Sequence, residues 1–160
     1  MEIYLMQHGL AADKETDPER HLSEEGLNAV HRVANRTAEL GLESGPIYHS
    51  GKVRARESAE ILAEALNRRG RVQYLAGLNP KDPVMPLVEW LQERTAEGVE
   101  ALTLVGHLPS LARLAALLMT GNEAQTVVAF ENAGLVKLTP DPDRAQRYRV
   151  RWMLSPGLVR

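Results

Sequence analysis

The chain contains no cysteine, which excludes disulfides, thiolate metal sites and cysteine nucleophiles at the outset. It is also short of net charge. Nineteen basic against 21 acidic side chains leave −2 at pH 7, too little to draw the whole protein to nucleic acid or an anionic membrane. Any anion site must therefore be a local cluster of cations. No apolar run is long enough to cross a bilayer, and no basic stretch followed by an apolar leader precedes the first strand-like segment. These absences lead to the expectation of a cytoplasmic protein with no nucleic-acid or membrane partner. What is present is ordinary for a folded globular protein: 44% hydrophobic and 25% charged residues argue against disorder. At 160 residues, one domain with a full core is expected, spanning 1–155, with 156–160 as a loose tail.

Apolar periodicity alternates along the chain. Residues 2–7 read as a strand. Ser23, followed by Glu24 and Glu25, is a helix start with a capping hydroxyl and an acidic first turn. Leu27, Val30, Ala34 and Leu40 then follow at helical spacing to a stop at Gly41. Pro46–His49 reads as a short strand ending at Ser50-Gly51. A second helix carries Val53, Ala59, Leu62, Ala63 and Leu66 and is closed by Gly70. Val72–Leu75 is the third strand, and a proline-rich loop leads to a helix around Leu87–Thr95. Leu102–Val105 is the fourth strand, and Pro109 opens a helix that ends before Gly121. Leu135–Leu138 and Tyr148–Met153 read as a hairpin joined at Pro140–Asp143. Strands alternating with helices imply an α/β fold, a three-layer α/β/α sandwich with a mostly parallel central sheet of about six strands and an edge hairpin. Strand order is not readable from this pattern, nor is oligomeric state.

Two apolar strands end at a histidine: Ile3-Tyr4-Leu5-Met6-Gln7-His8-Gly9 and Leu102-Thr103-Leu104-Val105-Gly106-His107. Open α/β sheets place their ligands at carboxyl strand ends, so His8 and His107 are expected to converge on one substrate. Arg54 falls at the start of the helix after the second strand, and Arg20 precedes the first helix. Helix N-termini and arginine forks suit phosphate oxygens. A zinc site would need a third ligand or paired spacing such as His-Glu-x-x-His, so no metal is expected. His21, His31 and His49 are expected to be ordinary loop, helix-face and strand-end residues. Arg68-Arg69-Gly70-Arg71 reads as a solvated helix end.

Gln7-His8-Gly9, Arg20-x-Leu22-Ser23-x-x-Gly26, Ser50-x-x-x-Arg54-Ala55-x-x-Ser58 and Gly106-His107-x-Pro109 together resemble the successive signatures of the histidine phosphatase superfamily. The compact chain is most similar to its SixA-type phosphohistidine phosphatases. The resemblance implies His8 as nucleophile, with a phosphohistidine intermediate hydrolysed by water. Arg20, Arg54 and His107 would hold the phosphoryl oxygens, with Gln7 and Gly9 also at the phosphate, Ser58 as structural support and no cofactor. The implied partner is a phosphohistidine-containing protein or a small phosphorylated substrate.

Two departures from the family pattern matter. Gln7 stands where the family carries arginine, and an amide supplies neither charge nor a planar fork. Arg56 or Lys52 could fill that gap; otherwise the protein is a slow enzyme or a noncatalytic phosphate binder. Gly77-Leu78-Asn79-Pro80 lacks the carboxylate that mutase-like members use as proton donor, leaving Asp13, Asp17 or Asp82 as substitutes. A phosphohistidine leaves as neutral imidazole, whereas an alkoxide needs protonation. The missing acid therefore favours phosphohistidine over a small phosphomonoester.

Overall fold

The computed structural model describes residues 1–160. Six strands form one mixed sheet in the order β3-β2-β4-β1-β5-β6. They are β1 (Glu2–Gln7), β2 (Ile47–His49), β3 (Val72–Tyr74), β4 (Ala101–Gly106), β5 (Leu135–Pro140) and β6 (Tyr148–Leu154). β3, β2, β4 and β1 pair in parallel; β5 runs antiparallel to β1, and β6 antiparallel to β5. The predicted hairpin is thus the edge of the sheet beyond β1.

Strand alternation divides the core into two layers. Ile3 and Leu5 of β1, with Leu102 and Leu104 of β4, face α3 (Met85–Ala96) and α4 (Ser110–Thr120). Tyr4, Met6 and Val105 face the other way, toward α1 (Glu24–Glu39) and α2 (Val53–Ala65). Both faces of the central strands are therefore buried, as a parallel sheet sandwiched between helices requires. The expected three-layer α/β/α architecture is the one observed.

Several boundaries differ from expectation for local reasons. Ser23 caps α1 by accepting from Gly26 N at 3.0 Å. The buried face of that helix is Gly26, Val30, Val33, Ala34 and Thr37, while Leu27 and Leu40 are exposed. α2 ends at Ala65 rather than at Gly70, because Asn67 already adopts a left-handed φ of 56°, a conformation asparagine tolerates. The last five residues are not a loose tail. Pro156–Leu158 forms a 3-10 turn, Pro156 is buried, and its carbonyl accepts from Arg32 Nε of α1 at 3.4 Å.

The strand order also locates the site. The chain runs outward from β1 to β2 and β3, then returns to lay β4 beside β1. α1, which follows β1, and α4, which follows β4, lie on opposite faces of the sheet. The loops leaving β1 and β4 therefore diverge and open a crevice at their carboxyl ends, the switch point where open α/β sheets bind ligands.

Candidate active site

The register Gln7↔Gly106 at the ends of β1 and β4 brings the next residue of each strand, His8 and His107, side by side. Their ring centroids lie 4.7 Å apart with planes tilted by 54°. The two strand-end imidazoles thus share one crevice.

Each ring is anchored through one nitrogen. His8 Nδ1 lies 2.6 Å from the Gly9 carbonyl, which fixes the proton on Nδ1 and leaves a lone pair on Nε2. Arg54 Nε reaches that Nε2 at 3.3 Å. His107 is 1% exposed; its Nε2 meets Ser50 Oγ at 2.6 Å, while its Nδ1 is buried with no protein partner. Burial lowers the His8 pKa to about 4, reinforced by the positive charges of Arg54 and Arg20 and opposed by the Gly9 carbonyl. Burial likewise lowers His107 to about 3, with His8, Arg54 and Lys52 adding to the effect. Both rings are therefore neutral at pH 7.

The arginines come from two different segments of the chain and meet at one cleft. Arg54 sits on the first turn of α2. Its pKa is lowered by burial and by the neighbouring charge of Arg20. Arg20 has a left-handed φ of 54°, in a loop closed by the Ala11–Leu22 bridge, and its Nε donates to Ala12 O at 3.2 Å. Asp17 organises the same loop. Its carboxylate accepts from Glu19 N, from His21 N and from the His21 ring, the last at 2.9 Å, and this contact raises the His21 pKa. Asp17 is thus a loop clamp rather than a free proton donor. Asp82 is similarly engaged with Asn79 N at 2.9 Å, and Glu57 with Leu22 N at 2.8 Å. No carboxylate hydrogen-bonds to either imidazole.

Gly9 and Gln7 take positions that the motif alone did not reveal. Gly9 N donates to Ser58 Oγ at 3.0 Å, and Ser58 Oγ donates to Arg54 O at 2.7 Å. The Gly9 amide is therefore already committed and orients His8 rather than standing free for phosphate. A Cβ on Gly9 would lie 2.6 Å from Val30 Cγ2, so close packing against α1 requires glycine here. Gln7 Nε2 donates to Asn132 Oδ1 at 2.8 Å, and Gln7 Oε1 is buried without a donor. Asn132 carried no sequence signal, since 125 residues separate it from Gln7. Ser50 lay within a quoted motif but had no assigned role. His49 turns away to accept from Gly51 N at 3.0 Å, in keeping with an ordinary structural histidine.

A doubly wound sheet with two neutral imidazoles and two unpaired guanidiniums at its switch point defines an α/β protein built to handle a compact anion. Comparison with known proteins narrows that class. Residues 3–82, half of the chain, match the family model of the histidine phosphatase superfamily, branch 1. The chain is 33% identical to an uncharacterized protein of Picosynechococcus, over 92% of this chain and 90% of that one. It is 28% identical to the phosphohistidine phosphatase SixA of Escherichia coli, over 98% and 94% of the two chains. The solved structure of the protein histidine phosphatase SixA complexed with tungstate superposes with a TM-score of 0.86, at 28% identity and 98% coverage of both chains. The chain belongs to the histidine phosphatase superfamily, whose fold and sequence it shares with SixA over nearly its whole length. No helix is long and apolar enough to cross a membrane.

Proposed function

We propose that the protein removes phosphate from phosphorylated histidine on a partner protein, through a covalent phospho-His8 intermediate. The observation that carries this reading is the His8 ring itself. Its Nδ1–H is locked on Gly9 O, so Nε2 carries the nucleophilic lone pair. Arg54 donates to that atom now. An incoming phosphoryl group draws the guanidinium onto its own oxygens and frees the lone pair for attack.

In the first step His8 Nε2 bonds to phosphorus as the bond to the substrate imidazole nitrogen breaks. With its other nitrogen protonated, that imidazole leaves neutral and needs no enzymic acid. In the second step water attacks phospho-His8, inorganic phosphate departs, and Nε2 recovers its lone pair. Arg20 and Arg54 offset the charge on the equatorial oxygens. His107 Nδ1, buried without a protein partner, gains one in a phosphoryl oxygen when Ser50 holds the other ring nitrogen. A bound dianion also opposes the lowering of both histidine pKa values by the arginines.

Asp17, Glu57 and Asp82 are committed to backbone amides, and Asp13 is exposed and bonded to neither imidazole, which favours a phosphoramidate over a phosphomonoester, whose alkoxide would need a proton. SixA, similar over nearly its whole length, is named for that activity. The domain reading that fits is a single catalytic unit, with no metal or organic cofactor in the proposed route. The test is phosphate release from a phosphohistidine-bearing phosphotransfer domain. His8→Ala should lose at least about a thousandfold in rate and retain no covalent phosphate. Parental turnover by that variant would overturn the mechanism.

A further inference from the structure

Beside the crevice lies an open cleft of about 480 Å³, lined by Lys14, Glu19, Arg20, Lys52, Val53 and Arg54 among others. Four of these are cations, gathered on a chain whose formal charge is −2. None of the four makes an ion pair, whereas Arg36, Arg56, Arg94 and Arg113 each do. The lining carboxylate, Glu19, lies 3.5 Å from the His21 ring and is directed to that loop. The start of α2 adds to the field. Lys52 is its N-cap residue and offers no side-chain acceptor, and the amides of Val53 and Arg54 have no backbone acceptor.

A phosphoryl group carries at most two negative charges. In the proposed reaction Arg20 and Arg54 match them, which leaves two exposed lysines with no counterpart in the protein. Resting on the phosphohistidine phosphatase reading, we infer that Lys14 and Lys52 form an accessory subsite for a carboxylate side chain flanking the phosphohistidine on the substrate protein. Both ammonium groups are exposed, on flexible stems at the solvent edge of the cleft. That suits them to a carboxylate on an approaching protein surface rather than to the buried end of a small ligand. The subsite confers preference among phosphohistidine proteins and supplies no chemistry. Its attraction works through KM and is screened by salt.

The experiment compares the wild type with a Lys14→Gln/Lys52→Gln double variant. The substrates are a phosphohistidine-bearing phosphotransfer domain with an acidic residue beside the histidine, phosphoramidate, which carries the phosphoryl group alone, and a small bisphosphate. The variant should lose about tenfold more kcat/KM on the protein than on phosphoramidate, through KM, and the difference should vanish near about 0.5 M NaCl. Neutralising the acidic residue on the substrate should cost the wild type as much and cost the double variant nothing further. Equal losses on the protein and on phosphoramidate would overturn the subsite, as would a greater loss on the small bisphosphate than on the protein. Phosphate release by the wild type judges the phosphatase reading separately. Without such turnover, binding of the phosphoprotein to His8→Ala, with and without the lysine changes, still decides the subsite.

Discussion

Gln7→Arg should accelerate the enzyme, and the gain follows from what the glutamine touches. Its Nε2 is held by Asn132 at 2.8 Å, and its Oε1 is buried with no donor. A guanidinium has donors only, so the substitution removes the orphaned acceptor, keeps a donor for Asn132 and adds charge at the end of β1. One well-placed donor on the charge developing in a transition state contributes about 3 kcal/mol. Against this stands repulsion from Arg20 and Arg54, already close enough for Arg20 to lower the pKa of Arg54. With solvent screening and a bound dianion, that repulsion costs about 1 kcal/mol. The remainder, about 2 kcal/mol, is roughly a thirtyfold rise in kcat/KM. The assay is phosphate release from a phosphohistidine protein at neutral pH, with unfolding midpoints recorded alongside. Gln7→Lys, a point charge without the fork, should give a smaller gain. If Gln7→Arg folds as stably as the parent and kcat/KM is unchanged or lower, residue 7 does not meet the transferring phosphoryl group.

Four further outcomes are expected. Because the His8 pKa is lowered to about 4, kcat/KM should show an acid limb only as the pH approaches that value, since protonation of Nε2 removes the nucleophile, while changes above about pH 5 follow protonation of the substrate imidazole; an acid limb centred at the ordinary histidine pKa would contradict the burial argument. The same depression makes the unfolded chain bind more protons than the folded one, so the contribution of His8 and His107 is complete above the unfolded value of 6.5 and declines as pH falls toward 4 and 3, as urea midpoints measured at pH 7 and pH 5 would show. Ser50→Ala leaves both nitrogens of the 1%-exposed His107 without a protein partner, and should cost about 1–3 kcal/mol in denaturant stability together with a fall in kcat. Gly9→Ala drives a methyl to 2.6 Å from Val30 Cγ2 and 3.0 Å from Gly26 O, costing about 1–3 kcal/mol and displacing the carbonyl that orients His8.

Local signals and long-range contacts divide cleanly among particular residues. Ser23 as a cap, Gly121 as a left-handed stop at φ 79° and the β5–β6 hairpin were all legible, because each depends on neighbours a few positions away. The buried face of α1 was only partly legible. Leu27 is as apolar as Val30, and only the position of α2 decides that Leu27 faces solvent. Gly70 suggests the stop of α2 by residue type, but Asn67 reaches the left-handed region first and the helix ends at Ala65. The packed terminus at Pro156 depends on Arg32, 124 residues away, a contact that no local pattern encodes.

The site divides in the same way. By itself the sequence determined that apolar strands end at His8 and His107, that Arg20 and Arg54 stand near helix starts, and that position 7 lacks a positive charge. These follow from residue type and short-range periodicity. Only the tertiary structure decided that β4 lies beside β1, bringing the imidazoles to 4.7 Å. It also decided which groups are already engaged: Gly9 with Ser58, Gln7 with Asn132, Asp17 with its own loop. The physical reason is that burial and hydrogen-bond partnership belong to the packed chain. The same packing strips water from both rings and keeps them neutral where an exposed histidine would titrate.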